Sequence, residues 1–123
     1  MTAHTGYLLI ADISGYTQFL TSSEQDHANP ILQSLLSSLV EQVGEPLHFW
    51  KLEGDAVLAY STQQEFPTGE TFLTICENLY NAFADCRQNI IANTTCPCRA
   101  CANVAMLDLK IMAHHGEFEE MQI

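Results

Sequence analysis

The stretch YLLIADISGYT, residues 7–17, joins a short apolar run to an acidic residue and a Ser-Gly pair. An apolar run that ends at such a turn signal is typical of a buried β-strand. Residues 7–11 are therefore predicted to form the first strand, with Asp12 at its end. The turn that follows can point backbone N–H groups at a bound anion, and Gly15 allows a phosphate group to approach closely.

Two helices are predicted from the spacing of apolar side chains on either side of the chain's midpoint. In residues 30–43 apolar side chains recur at helical spacing, Asn29 is a candidate cap, and Gly44 suits the end of the helix. The same spacing returns in residues 71–91. Both segments are long enough to cover one face of a small sheet.

Three further strands are predicted around these helices. Residues 47–52 and 56–60 are apolar runs with aromatic and β-prone side chains, and they flank the turn Glu53-Gly54-Asp55, which indicates a hairpin. Residues 104–113 alternate between apolar and other side chains, as a half-buried strand does.

The resulting order βαββαβ is that of the ferredoxin-like fold, an α+β fold with one antiparallel sheet and two helices on one face. The 123 residues suit a single domain, residues 1–123. Right-handed crossovers place the first strand beside the third and antiparallel to it. Asp12 at the end of one strand then meets Asp55 at the start of the other. Two such carboxylates are either a hard-cation site or ordinary turn residues.

The charge balance limits the partners that this chain can have. Four Lys and Arg stand against fifteen Asp and Glu, which gives a net charge of −11. Nucleic acid is a poor partner because its binding needs clustered cations, and an acidic membrane surface would repel the chain. The sequence has no apolar run near the ~20 residues of a membrane helix and no cationic leader segment, so we expect a cytoplasmic protein.

Two motifs resemble those of the class III nucleotidyl cyclases. LIADISGYT, residues 9–17, is similar to the first-strand motif of that family, and KLEGDA, residues 51–56, is similar to its hairpin motif. LKIMAHHGE, residues 109–117, resembles the strand that leads to a small glycine turn in the same domains. The motifs follow the family's order, and the resemblance covers nearly the whole chain except a cysteine-rich loop.

This resemblance implies a two-metal site that binds ATP. Asp12, Asp55 and the Ile13 carbonyl would hold two Mg²⁺ or Mn²⁺ ions, and Lys51 matches the position that selects adenine. The chemistry would be attack of the ribose 3′-oxygen on the α-phosphorus, which yields cyclic AMP and pyrophosphate. The β- and γ-phosphates would lie against the backbone of Ser14, Gly15, Tyr16 and Thr17.

The resemblance is incomplete at the C-terminal end. In the family, later strands supply a second base-recognition residue and an Asn and an Arg that stabilise the transition state. The sequence ends at Ile123, just past the fourth strand, so we expect a domain without that C-terminal part. The family's site is shared between two domains, which implies a homodimer. The alternative is a non-catalytic cyclase-like module that binds a ligand or regulates a partner. Such a module would be dimeric and stabilised by zinc.

The loop of about residues 94–103 contains three thiols within six positions. Thiolates bind Zn²⁺ in tetrahedral sites with four ligands, and Cys-x-x-Cys spacing lets one loop wrap the ion. A zinc site is one reading, and His114 or His115 is a weaker candidate than a fourth cysteine. Free thiols in a reducing cytosol are the other reading, and a redox sensor is a third. The predicted zinc ligands are Cys86, Cys96, Cys98 and Cys101.

Overall fold

The computed structural model describes residues 2–21, 23–44, 47–62, 69–94, 96 and 98–120. The strands are β1 (Thr2–Ser14), β2 (His48–Glu53), β3 (Ala56–Thr62) and β4 (Asp108–Glu120). The helices are α1 (Tyr16–Thr21), α2 (Gln25–Gln42), α3 (Gly69–Asn93) and α4 (Arg99–Asn103), and α4 continues into a 3₁₀ turn, Val104–Met106.

The four strands form one antiparallel sheet in the order β2-β3-β1-β4. The predicted α+β fold with a single antiparallel sheet is confirmed, and β1 lies beside β3 as the crossover rule requires. Pairing aligns Asp12 on β1 with Ala56 on β3 and with Lys110 on β4. The sheet register therefore places Asp12 and Lys110 side by side near the C-terminal end of β1.

The core lies between the sheet and the two long helices. Alternate residues of β1 are buried because successive side chains of a strand point to opposite faces. Helix α2 buries one stripe at intervals of three and four positions, and α3 does the same. Members of this core include Leu9, Ala11, Ile13, Leu32, Leu35, Leu39, Leu79 and Phe83.

Helix α2 begins at Gln25, five residues before the predicted start at Pro30, which lies inside the helix. The N–H groups of His27 and Ala28 donate to the Glu24 carbonyl at 3.1 and 2.8 Å, and Ala28 is completely buried. Burial of this first turn outweighs the hydrogen bond that a proline removes. The predicted Asn29 cap is therefore wrong.

The segments that follow β1 and precede β4 also differ from the prediction. Helix α1 begins at Tyr16, where a turn was expected, because Phe19 is buried in the core. Strand β4 begins at Asp108 rather than at residue 104, since Val104 belongs to the 3₁₀ turn, and Val104 and Leu107 are buried in the core. None of the helices in the described ranges combines the length and apolar composition that a bilayer crossing needs.

Candidate functional site

An open pocket of about 340 Å³ lies where β1 ends and α1 begins. We call it the Asp12–Asp55 pocket. It contains every residue predicted to hold Mg²⁺ or Mn²⁺ and every residue predicted to face the phosphates, although these come from two separate motifs. Its lining residues are Asp12, Ile13, Ser14, Gly15, Tyr16, Thr17, Gln18, Asp55 and Lys110.

The two carboxylates are brought together by the hairpin between β2 and β3. Gly54 has a φ of +59°, as the first residue of a two-residue type II′ turn requires, and Asp55 follows it. The N–H of Ile13 donates to the Asp55 carbonyl at 3.2 Å, which ties the turn to the end of β1. Asp55 is thereby fixed beside Asp12.

Asp12 is the electrostatically strained member of this pair. Its Oδ1 atom is buried and has no hydrogen-bond partner among the residues that the structure describes. Burial raises the pKa of Asp12, the hydrogen bond that its protonated carboxyl donates to Asp55 and the charge of Asp55 raise it further, and Lys110 opposes these effects. Two carboxylates that share one nearby cation form an oxygen-donor set of the kind that Mg²⁺ and Mn²⁺ prefer.

The floor of the pocket depends on Gly15. Its φ is +87°, a conformation that side chains with a Cβ rarely adopt. A Cβ built at this position would lie 3.3 Å from the Met106 carbonyl oxygen of the 3₁₀ turn. The Gly15 carbonyl accepts the Phe19 N–H at 2.9 Å and so starts α1. Amide groups of a first helical turn lack acceptors within the helix and are available to an anion.

Lys51 and Lys110 occupy different positions relative to the pocket. Lys51 lies on the edge strand β2 and does not line the pocket; its Nζ is 3.0 Å from Glu53 Oε2 and 4.8 Å from the centre of the Trp50 ring. Lys110 does line the pocket, although no motif in the sequence pointed to it as a site residue. The pairing of β4 with β1 places it opposite Asp12, so the strand register was the signal that could have found it.

The cysteine loop forms a second cluster with potential metal ligands. Donor atoms of His27, Cys96, Cys98 and Cys101 all lie within 4.8 Å of one another. His27 Nδ1 is 3.0 Å from Cys98 Sγ, 3.6 Å from Cys96 Sγ and 4.0 Å from Cys101 Sγ. The cluster could hold a metal ion such as zinc. We refer to these four residues as the Cys/His cluster.

Cys86, the predicted fourth ligand, lies outside the Cys/His cluster, and His27 takes its place. The thiol of Cys86 faces α2 and donates to the Ser34 carbonyl at 3.7 Å. It precedes the end of α3 by two helical turns, whereas the cysteine loop packs against the first turn of α2. The unexpected start of α2 at Gln25 is what puts His27 within reach.

Contacts within the Cys/His cluster shift the pKa values of its members. The Cys98 side chain, through a hydrogen bond and its negative charge, raises the pKa of His27. The backbone N–H and the side chain of Cys98 lower the pKa of the Cys96 thiol. These contacts favour the thiolate of Cys96, which is the form that binds metal. A hydrogen bond with Thr94 lowers the pKa of Cys101, but hydrogen bonds with Cys98 and Cys96 and burial raise it overall.

The chain belongs to the protein family DUF2652, a family of unknown function whose model matches residues 32–123. It is similar to the uncharacterized protein Rv2561/Rv2562 of Mycobacterium tuberculosis, with 27% identity over 95 residues. That alignment covers 75% of this chain and 42% of the relative, so the chain spans less than half of the relative's length.

Solved structures of cyclases share the fold. The adenylyl cyclase CyaB from P. aeruginosa superposes with a TM-score of 0.74 at 17% identity, over 94% of this chain and 58% of CyaB. The guanylyl cyclase Cya2 gives a TM-score of 0.72 at 14% identity, over 94% of this chain and 56% of Cya2. The chain therefore has the fold of class III adenylyl and guanylyl cyclase domains, as the two sequence motifs indicated.

Proposed function

We propose that this chain is a cytoplasmic class III cyclase-like domain that binds ATP with Mg²⁺ or Mn²⁺ in the Asp12–Asp55 pocket. Within a complete dimer it would form cyclic AMP and pyrophosphate. The observation that carries the proposal is Asp12 Oδ1, buried and unpaired among the described residues beside a second carboxylate. A desolvated carboxylate is costly unless a cation or proton offsets it, and a divalent ion at this position would do so.

The proposed roles follow from where each side chain lies. Asp12, Asp55 and the Ile13 carbonyl would hold two ions, which would activate the attacking 3′-oxygen and neutralise charge on the leaving pyrophosphate. Both carboxylates lie where β1 ends and β3 begins, at the end of the two inner strands of the sheet. Lys110, on the neighbouring strand, adds positive charge beside Asp12. Although the chain has a net charge of −11, these positive charges would allow a polyanion to bind in the pocket.

Phosphate binding is assigned to the backbone between β1 and α1. Ser14, Gly15, Tyr16 and Thr17 line the same pocket as the carboxylates. Since Gly15 has no side chain, the β- and γ-phosphates can contact the main chain there without a steric clash. The positive φ of Gly15 supports this role, because it turns the chain sharply between strand and helix.

Base recognition is assigned to Lys51 across a homodimer. Lys51 lies on β2, two strands or about 10 Å from the strand of Asp12, and so lies outside the pocket of its own chain. The same strand exposes large apolar side chains: Phe49, Trp50 and Leu52. Exposed apolar groups on an edge strand support an interface with a second copy, in which Lys51 reaches the partner's nucleotide.

The alternative is a non-catalytic module with the same fold. The contacts of Arg87 favour this alternative, because its guanidinium binds residues at the start of β4. Its Nη1 donates to the Leu107 carbonyl at 2.6 Å and lies 3.4 Å from Asp108 Oδ1. An arginine held in this way cannot also stabilise a transition state at the pocket. In this alternative, nucleotide or metal binding without turnover would regulate a partner or a larger protein.

Calorimetric titration of a non-cyclisable ATP analogue tests the proposal. The analogue with Mn²⁺ is titrated into the wild-type chain, and a titration without metal is run beside it. We expect binding that depends on Mn²⁺ and that weakens at least 100-fold in Asp12→Asn and Asp55→Asn. Asp85→Asn, an exposed carboxylate change on α3, is the matched control and should bind as the wild type does.

The outcomes separate the two candidate functions. Metal-dependent binding that both pocket variants lose supports the nucleotide site, and a turnover assay on a chain with the later strands then distinguishes enzyme from module. Binding that survives in Asp12→Asn, or no binding by a folded wild-type dimer, would contradict the proposed site. A GTP analogue that binds as tightly as the ATP analogue would contradict only the role of Lys51.

A further inference from the structure

The Cys/His cluster has the donor set and arrangement of a closed metal site, distinct from the Asp12–Asp55 pocket. We propose that His27, Cys96, Cys98 and Cys101 bind one structural Zn²⁺ ion, which fastens the loop before β4 to the first turn of α2. Three thiolates and an imidazole are a standard zinc ligand set, whereas iron–sulfur clusters usually need four cysteines. With four protein ligands the ion has no open position for a substrate.

The distances fit tetrahedral coordination. With bonds of ~2.0 Å to nitrogen and ~2.3 Å to sulfur, tetrahedral geometry places the nitrogen about 3.5 Å from each sulfur. The separations from His27 Nδ1 are 3.0, 3.6 and 4.0 Å, which bracket that value. The observed nitrogen–sulfur distances therefore lie within about 0.5 Å of those of a tetrahedral site.

Hydrogen bonds around the cluster orient the candidate ligands. The Cys101 N–H donates to Cys98 Sγ at 3.3 Å, and the Cys96 N–H donates to Thr94 Oγ1 at 3.3 Å. The Ala100 N–H donates to Glu24 Oε2 at 3.2 Å, which joins the loop to the residue before α2. Such outer contacts orient ligands and raise metal affinity.

The ion would join two segments that both lead to the Asp12–Asp55 pocket. His27 lies in the first turn of α2, the helix that follows α1, and Cys101 lies on α4, which continues into the 3₁₀ turn. The Met106 carbonyl of that turn packs against Gly15. Loss of zinc would therefore loosen both sides of the pocket floor. This second consequence rests on the proposed function, whereas the zinc site itself does not.

Metal analysis of the purified, reduced protein tests the site directly. After reconstitution with Zn²⁺ and removal of excess ion, we expect one zinc per chain by mass spectrometry. Replacement by Co²⁺ should give the visible absorption of tetrahedral thiolate coordination. Chelation should lower the melting temperature, which is measured on the wild-type chain and so does not depend on any variant folding.

Four variants identify the ligands. Cys98→Ser and His27→Ala should lower zinc affinity about 100-fold, because each removes one of four ligands. His27→Cys restores a four-ligand site and should keep the zinc. Cys86→Ser is the matched control, since its thiol lies nearby on α3 but outside the cluster.

Each result decides for or against the proposal. Stoichiometric zinc that is lost in Cys98→Ser and His27→Ala but kept in Cys86→Ser and His27→Cys supports it. No zinc in the reduced wild-type chain, cobalt without thiolate absorption, or equal loss in Cys86→Ser overturns it. If zinc binds but no nucleotide analogue does, the zinc site stands and the proposed nucleotide function fails.

Discussion

The Asp12–Asp55 pocket and the Cys/His cluster assemble potential metal ligands in opposite ways. The pocket gathers carboxylates at the ends of paired strands, where the sheet register fixes their positions. The cluster brings together sulfur atoms from a loop and a nitrogen atom from the start of a helix. Its members His27 and Cys98 are 71 positions apart in the sequence. Oxygen donors suit Mg²⁺ or Mn²⁺ ions that exchange with the solvent, whereas thiolates suit a Zn²⁺ ion that stays bound. Under the two proposals, one fold would keep a nucleotide site and a structural metal site apart.

Removal of metal is expected to give the largest difference in stability between the two regions. Stripping zinc is expected to lower the free energy of unfolding by about 4 kcal/mol and the melting temperature by about 10 °C or more, because a resident ion stabilises only the folded chain. Omitting Mn²⁺ and Mg²⁺ should leave melting nearly unchanged. Differential scanning calorimetry with metal-specific chelators measures both. Equal shifts for the two metals would contradict the division of roles.

Gly15→Ala should damage the pocket through the backbone alone. A residue with a Cβ is strained at a φ of +87°, and its Cβ would press against the Met106 carbonyl, so we expect a loss of about 1–2 kcal/mol. Gly44→Ala is the control, because a Cβ there meets nothing within 4 Å. Urea unfolding compares the two variants. Equal stabilities would show that the Gly15 turn is not constrained as described.

The pH dependence of Mn²⁺–nucleotide binding should report on Asp12. Metal binding needs the ionised carboxylate, and the pKa of Asp12 is raised by burial and by Asp55. As pH falls through this raised pKa, affinity should drop by up to about tenfold per pH unit. Calorimetry between pH 4 and 8, with zinc-loaded protein, measures the profile (about one titration per half unit). Affinity that is flat across this range would remove Asp12 from the metal site.

Asp12→Asn should slightly stabilise the metal-free chain. Between the ordinary pKa of 3.8 and the raised value, the folded chain binds more protons at Asp12 than the unfolded chain does. Its contribution to the free energy of unfolding therefore falls as pH rises, and the full penalty is present above the raised pKa. We expect a gain of roughly 2 °C at pH 7 and none at pH 3. A destabilised variant at neutral pH would contradict this account.

The contrast between the two regions also explains how much the sequence could predict. Asp12 and Asp55 were expected to meet because strand order and handedness leave few alternatives. The pairing of Asp12 with Ala56 agrees with that expectation. Lys110 was missed, since the exact register of β4 depends on where the preceding 3₁₀ turn ends.

The contacts of the cysteine loop could not be predicted from the sequence for a different reason. The cysteine spacing identified three members of the Cys/His cluster, but the fourth depended on where the loop returns. Cys86 was the nearest thiol along the chain, yet helix α3 points it at Ser34 of α2. His27 was hidden because Pro30 and Asn29 suggested a later helix start. Burial of Ala28 extends the helix backwards, and only packing decides that.

The most direct test of two separate sites is a simultaneous measurement of both metals. The wild-type chain, Asp12→Asn and Cys98→Ser are dialysed against Zn²⁺, Mn²⁺ and the non-cyclisable ATP analogue, and bound metals are counted per chain. We predict that Asp12→Asn keeps its zinc and loses nucleotide-dependent Mn²⁺, while Cys98→Ser loses zinc and retains weakened Mn²⁺ binding. Loss of both metals in either variant, or of neither, would contradict the account.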